Sequence, residues 1–497
     1  MRTAGILMAI SSLPSPWGVG TMGKAAREFV DFLSRAGQRY WQILPIGPTG
    51  FGDSPYQSFS SYAGNPYLID LDELEREGLL RREEYCELDW GSQADRVDYG
   101  LIYRNRFTVL RKSARRVRGR QGSDLLAFCQ REKKWLEDYA LYMALKEDNG
   151  GASWFQWPEA LRLRQEQALA RAREELAEEI DFWKTVQYLF YRQWYALHQY
   201  AKQKNVLIIG DLPIYVAADS VDVWAEPGQF CLDEMGKPTL VAGCPPDGFS
   251  ADGQLWGNPI FRWDVMKKEG YRWWLDRLSY QFKIYDVLRI DHFRGFDSYY
   301  AIAYGEKTAR NGRWLQGPGK EFFRVVRQKL GDRPLIAEDL GYLTQSVIEL
   351  LEDTGYPGMK VLEFGFDSRD ESGSDYLPYQ CHRNSVVYTG THDNDTIIGW
   401  LNTMDPADAD YAKRYLRLTE EEGWNWGMMR EAWATQSDLA IMQMQDILGL
   451  GSEARMNTPS TLGGNWQWRA LPGAYNEELA SRLRLEMKTY HRLWREK

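Results

Sequence analysis

Short apolar runs, each closed by Gly-, Pro- or Asp-rich residues and mostly followed by helical pattern, recur along the chain. They fall at 6–11, 40–44, 206–210, 287–290, 335–337, 360–364 and 386–388, with a weaker run at 440–444. About eight strands with helices between most of them predict an α/β fold of the (β/α)8 TIM-barrel type rather than a sandwich.

The spacing of the runs is uneven. About 160 residues separate the second and third, far more than one strand-to-strand crossover needs. That stretch holds a basic run at 104–120, a charge-alternating helical pattern at 159–179 and an amphipathic, aromatic one at 182–200. The expected organisation is one barrel domain over 1–497, with a largely helical insertion at 66–200 and a smaller one at 218–280 that bears the loop 243–259. The basic run lacks Gly and aromatic interleaving and sits among acidic residues, so it predicts a solvated helix face and no nucleic-acid partner. The chain shows no internal repeat, low-complexity tract or flexible linker.

Length changes this picture little: 497 residues exceed what one compact core usually fills, which suits a barrel with insertions. A net charge of −9 argues against anionic partners such as nucleic acid and membranes. The 21 Trp, with 29 Tyr and 19 Phe, tilt the reading towards a ligand with flat, partly wet faces, as sugars have. Five scattered cysteines form no C-x-x-C pair, so reduced thiols are expected. Arg2 followed by the apolar 4–10 run mimics a secretion leader, but the run is short and 13–18 is a poor cleavage region. A first buried strand accounts for it better, and a cytoplasmic protein without a membrane span is the expectation.

The candidate chemistry lies where the runs end. Arg289 and Asp291 are two apart on one run, so they share a face, and the guanidinium favours the ionised carboxylate that a nucleophile requires. The run 335–337 delivers Glu338 and Asp339; Asp339 reads as a cap for the following helix, Glu338 as a carboxyl whose pKa a cleft would raise. Asp211 ends a third run. His392 and Asp393 follow a fourth, where too few His stand nearby for a metal, and hydrogen bonding to sugar hydroxyls is the better reading. A barrel gathers such strand ends at one face, where TIM-barrel active sites lie.

These motifs together resemble one family. Leu288-Arg289-Ile290-Asp291-His292-Phe293-Arg294-Gly295, Ile336-Ala337-Glu338-Asp339-Leu340-Gly341, Thr391-His392-Asp393-Asn394-Asp395 and Asp211-Leu212-Pro213-Ile214-Tyr215-Val216 are similar to the signature regions of the 4-α-glucanotransferases. That family, also called amylomaltases or disproportionating enzymes, belongs to the α-amylase clan. The likeness extends to Leu44-Pro45-Ile46-Gly47-Pro48-Thr49-Gly50-Phe51-Gly52-Asp53-Ser54-Pro55-Tyr56-Gln57-Ser58, to Gly64-Asn65-Pro66-Tyr67, to Asp252-Gly253-Gln254-Leu255-Trp256-Gly257-Asn258-Pro259 and to Arg455-Met456-Asn457-Thr458-Pro459. It implies a (β/α)8 barrel and retaining transfer of α-1,4-glucan segments to the 4-hydroxyl of an acceptor glucan or glucose. It implies no metal, no cofactor and no obligatory protein partner. By the same resemblance, Asp291 is the nucleophile, Glu338 the acid/base and Asp393 the transition-state stabiliser. Tyr56, Asp211, Trp256, Asn258, Arg289, His392 and Phe249 would contact substrate, with 243–259 on the acceptor side. Gly248 departs from the pattern, since many members carry an aromatic residue there.

Three other readings compete. An α-glucan hydrolase of the same clan would share the carboxylates. A non-catalytic glucan-binding scaffold would typically have lost one, whereas all three are present. A nucleotide-sugar transferase lacks support, because no phosphate-binding glycine loop occurs.

Overall fold

In a computed structural model, the chain is described over residues 2–50, 52–246, 250–341, 343–370 and 372–494. Twelve strands occur among them, in chain order β1 Thr3–Leu7, β2 Tyr40–Gln42, β3 Leu207–Pro213, β4 Leu240–Cys244, β5 Gln254–Pro259, β6 Val287–Asp291, β7 Ser298–Ala303, β8 Arg313–Gln316, β9 Leu335–Ala337, β10 Gly358–Val361, β11 Ser385–Tyr388 and β12 Leu439–Gln443. Eight of them form one parallel sheet in the order β10-β11-β12-β1-β2-β3-β6-β9. The Ala337 N–H donates to Pro357 O (2.9 Å), which brings β9 to the entry of β10 and closes the ring. The fold is a (β/α)8 barrel.

The barrel strands are mostly apolar because helices cover them outside and side chains fill them inside. Ile6, Ile208, Ile209, Leu288, Ile290, Val386, Val387, Ala440 and Ile441 are all buried. Polar groups in the interior find partners, as where the Tyr388 hydroxyl donates to Gln42 Oε1 (2.8 Å). Close approach demands glycine at 210, where a Cβ would stand 2.2 Å from the Tyr285 ring.

All eight expected runs are barrel strands, but two boundaries shift. The first strand is Thr3–Leu7, not 6–11, and Ile10–Ser12 is a 3-10 turn leading into the mouth. The sixth is Gly358–Val361, with Leu362–Gly365 again a 3-10 turn. In both cases apolar character outlasts the ladder, since loop residues at a barrel mouth are buried too.

Among the described residues between β2 and β3 lie six helices, Leu71–Arg76, Tyr99–Arg131, Lys133–Asp148, Glu159–Arg162, Glu166–Glu175 and Ala177–Gln203. Two glutamines on the last of these mimic a backbone strand. Gln187 accepts from Gly64 N–H (2.7 Å) and donates to Gly64 O (2.9 Å), while Gln193 does the same with Asp70 (2.7 and 3.1 Å). They pin the segment that carries Tyr56. The basic run is solvated on one side only: Arg104, Arg115, Arg118 and Arg120 are exposed, as expected. Arg106 is fully buried, donating to Ile69 O and Trp17 O, and Arg111 and Arg116 are bound to Glu179 and Glu84. These three cations meet acids and carbonyls, which sequence spacing cannot reveal.

A second sheet, antiparallel and in the order β5-β4-β7-β8, takes strands from both sides of β6. It is therefore assembled from the 218–280 stretch together with residues beyond it. Among the described residues no helix is long and apolar enough to cross a membrane, and the five cysteines are free thiols.

Candidate active site

The site is built outward from Arg289, which is 3% exposed on β6. The register places Arg289 opposite Asp211 on β3, and both side chains point into the mouth. One guanidinium nitrogen of Arg289, Nη1, lies 2.7 Å from both Asp211 oxygens, and the other, Nη2, lies 3.0 Å from Asp291 Oδ1. This fork joins two carboxylates through one cation. Burial alone would discharge Arg289, but Asp211 and Asp291 more than offset it and hold the guanidinium charged.

Asp211 also accepts from the Tyr56 hydroxyl (2.7 Å). The Tyr56 ring stacks on His392 with centroids 5.0 Å apart at 16°, and Trp466 closes on both rings. Burial and then Asp211 push the Tyr56 hydroxyl well up, so it stays a donor. Burial lowers His392, which keeps its imidazole neutral near pH 7.

After Asp291 the chain turns through His292 in the left-handed region, at φ 56°. For a non-glycine residue that costs about 1–2 kcal/mol. The turn aims the His292 N–H at Glu338 Oε2 (2.6 Å), while the Leu340 N–H donates to Oε1 (2.9 Å). Burial pushes the Glu338 carboxyl up, against Arg289 and these two N–H groups. Asp291 is pushed up as well, by burial first, with Arg289 opposing and Glu338, Asp211 and Asp393 adding repulsion. Two such neighbours titrate as a pair holding one proton between them.

Asp393 stands on the loop after β11, its side chain 46% exposed. The Asn457 amide donates to its Oδ1 (2.6 Å), Arg455 to its carbonyl (2.7 Å), and His392 Nε2 lies 3.5 Å from its Oδ2. The structure thus gathers Tyr56, Asp211, Arg289, Asp291, Glu338, His392 and Asp393 at one mouth. Among the described residues no group of three or more His, Cys, Asp or Glu is placed to hold a metal ion.

The family model described as 4-alpha-glucanotransferase matches residues 8–473. The chain belongs to the 4-alpha-glucanotransferase family. The 4-alpha-glucanotransferase of Clostridium butyricum is 48% identical over 98% of this chain and 100% of its own. That of Thermus thermophilus is 48% identical over 99% of each. An amylomaltase from Streptococcus agalactiae, solved in complex with acarbose, is 43% identical and superposes with a TM-score of 0.97 over 99% of this chain and 100% of that one. An amylomaltase from Corynebacterium glutamicum shares the fold at 20% identity, with a TM-score of 0.76 over 99% and 74%.

The other expected positions of this 4-alpha-glucanotransferase family chain divide. Trp256, half-buried on β5, meets the His292 ring edge-on at 4.8 Å, so it borders the site. Asn258 is 5% exposed, and its amide bridges Val216 O (2.8 Å) and the Gln57 amide (3.3 Å). These bonds fasten β5 to the barrel and to the loop that carries Tyr56. Asp339 caps no helix: it accepts from Met359 N–H (2.6 Å) and so ties β9 to β10. Phe249 and Gly248 lie outside the described residues.

Three neighbours were not expected. Trp466, at φ 64°, folds back over Tyr56, and Asn457 and Arg455 hold Asp393. The motif Arg455-Met456-Asn457-Thr458-Pro459 was a signal for the last two. Trp466 carried none.

Proposed function

We propose that this protein transfers α-1,4-glucan segments onto the 4-hydroxyl of an acceptor glucan or glucose by retaining double displacement. The observation that carries the reading is the Arg289 fork, which joins Asp211 to Asp291 beside a Glu338 coupled to the same charge. A full cation 3.0 Å from Asp291 holds negative charge there more strongly than two backbone dipoles hold it on Glu338, so the shared proton rests on Glu338.

Glu338 then gives that proton to the glycosidic oxygen while an Asp291 oxygen attacks the anomeric carbon. The reducing-end fragment leaves with the proton, and the remaining segment is held as an ester of Asp291. An acceptor 4-hydroxyl returns its proton to Glu338 as its oxygen displaces Asp291, restoring both carboxyls. Asp393, open to the mouth and steadied by Asn457, offsets the positive charge that develops on the sugar. Tyr56 stacks against the ring being transferred, His392 hydrogen bonds to it, and Trp256 walls the acceptor side. The stretches 66–200 and 218–280 supply the flanking insertions. The free thiols and the family support a cytoplasmic place of action.

Maltotriose tests this. Transfer yields glucose together with a ladder of longer chains. A digest holding only glucose and maltose would replace the reading with hydrolysis. Unchanged turnover in Asp291→Asn would remove the nucleophile assignment.

A further inference from the structure

A second group of carboxyls lies behind the Asp393 loop, and the transfer steps above do not use it. Glu363 sits in the 3-10 turn after β10 and is 6% exposed. Its backbone N–H donates to Thr389 O (3.1 Å), the first residue of that loop. Its side chain runs under the loop so closely that a Cβ on Gly390 would stand 2.8 Å from Glu363 Oε1 and 3.1 Å from Asn394 Cβ. Oε1 is buried with no hydrogen-bond partner.

The groups around Glu363 come from three other elements. Asn394 faces it from the loop, its own carbonyl oxygen accepting from Thr391 N–H and Oγ1 (both 2.9 Å). Asp446, following β12, accepts from Thr389 Oγ1 and Ile397 N–H (both 2.8 Å). Asp395 accepts from Ser452 Oγ (2.7 Å). Arg455 is the cation of the group, and it donates to the carbonyls of Asp393 and Asn457 (2.7 and 2.8 Å). Among the described residues Glu363 has no ion pair. A carboxylate in that position would be a buried charge with two like charges facing it and its nearest cation spent elsewhere.

We propose that Glu363, as the uncharged acid, is a positioning residue for glucan transfer: it is the floor that sets the height and tilt of the loop presenting His392 and Asp393 to the sugar. The geometry makes the link short. Glu363 touches Gly390 and Asn394, and Asn394 is the residue next to Asp393. Burial and the two aspartates also hold the Glu363 proton on, against Arg455 and the Asn394 amide. A charged Glu363 would repel Asp446 and Asp395 and lift the loop, and a displacement of about 1 Å at a reacting centre costs on the order of 100-fold in rate.

The proposal rests on the assignment of Asp393 above, so Asp393→Asn is the reference variant. Kinetics on maltotriose in Glu363→Ala should show kcat down about 10–100-fold with KM changed less than about threefold. Glu363→Gln, which keeps shape and neutrality, should restore most of that kcat. Its melting temperature should also fall less than that of the wild type as pH rises. If Asp393→Asn kept full turnover, the Asp393 assignment itself would fall. If Asp393→Asn were inactive while Glu363→Ala kept wild-type kcat, only the present proposal would fail. Glu363→Gln as inactive as Glu363→Ala would also overturn it. Should Glu363→Ala not fold, Asn394→Ala is read in its place: a kcat loss without a KM change supports the proposal, and wild-type kcat ends it.

Discussion

Two carboxyl groups of similar size sit side by side under the mouth of this barrel, and they handle charge in opposite ways. Around Arg289, Asp211 and Asp291 both bond to one buried cation. Around Glu363, the carboxyls of Asp446 and Asp395 close in, with only Arg455 nearby and its bonds spent on carbonyls. The first group sets its carboxyls against a full positive charge. The second stores protons where no charge is wanted. Both groups are buried, and the cation in the fork is what separates the first from the second.

Removing the charge at the first group should have the largest effect. Asp291→Asn should lower kcat on maltotriose by on the order of 10⁴-fold or more, because no other group can form the ester. Arg289→Lys keeps a cation but loses the fork, and kcat should fall on the order of 10²–10³-fold. If Lys served as well as Arg, charge alone would define this group, and the comparison would lose its geometric half.

The second group should answer to pH instead. Burial raises Asp446 to about 7 and Glu363 well above its ordinary range. A raised folded value means that the native state binds protons the unfolded chain releases. The resulting stability is complete below the unfolded carboxyl range of about 4 and is lost as pH rises through the folded values. Melting temperature followed from pH 5 to 8, other groups apart, should therefore decline. Asp446→Asn, whose amide can still accept from Ile397 and donate to Thr389, should flatten the decline. A wild-type curve no steeper than the variant's would show that protons are not stored there.

The smallest effect belongs to Trp256. Losing one aromatic wall is worth about 0.5–1.5 kcal/mol, so Trp256→Ala should raise the acceptor KM about 2–12-fold and leave donor cleavage nearly unchanged. Initial rates at varied glucose acceptor would measure it. An equal loss in both steps would move Trp256 from the acceptor wall to the centre of the site.

Much of the architecture follows from local pattern. Eight apolar runs became eight barrel strands, because a parallel strand covered on both faces has no polar position to hide. The runs end in Asp211, Arg289, Asp291 and Glu338 or lead into His392 and Asp393, and a strand's two-residue period alone puts Arg289 beside Asp291.

Tertiary structure decided the rest. Whether a polar side chain is spent inside the protein or open to a cleft depends on what folds against it. That is why Asp339 proved to be a tie to β10 and Arg106 a buried cation. The same holds for Trp466, which reaches Tyr56 across most of the chain, and for Glu363, an acid whose charge state is set by neighbours from three other elements. Sequence period determines which face a residue occupies; only packing determines what that face meets and whether it can keep a charge there.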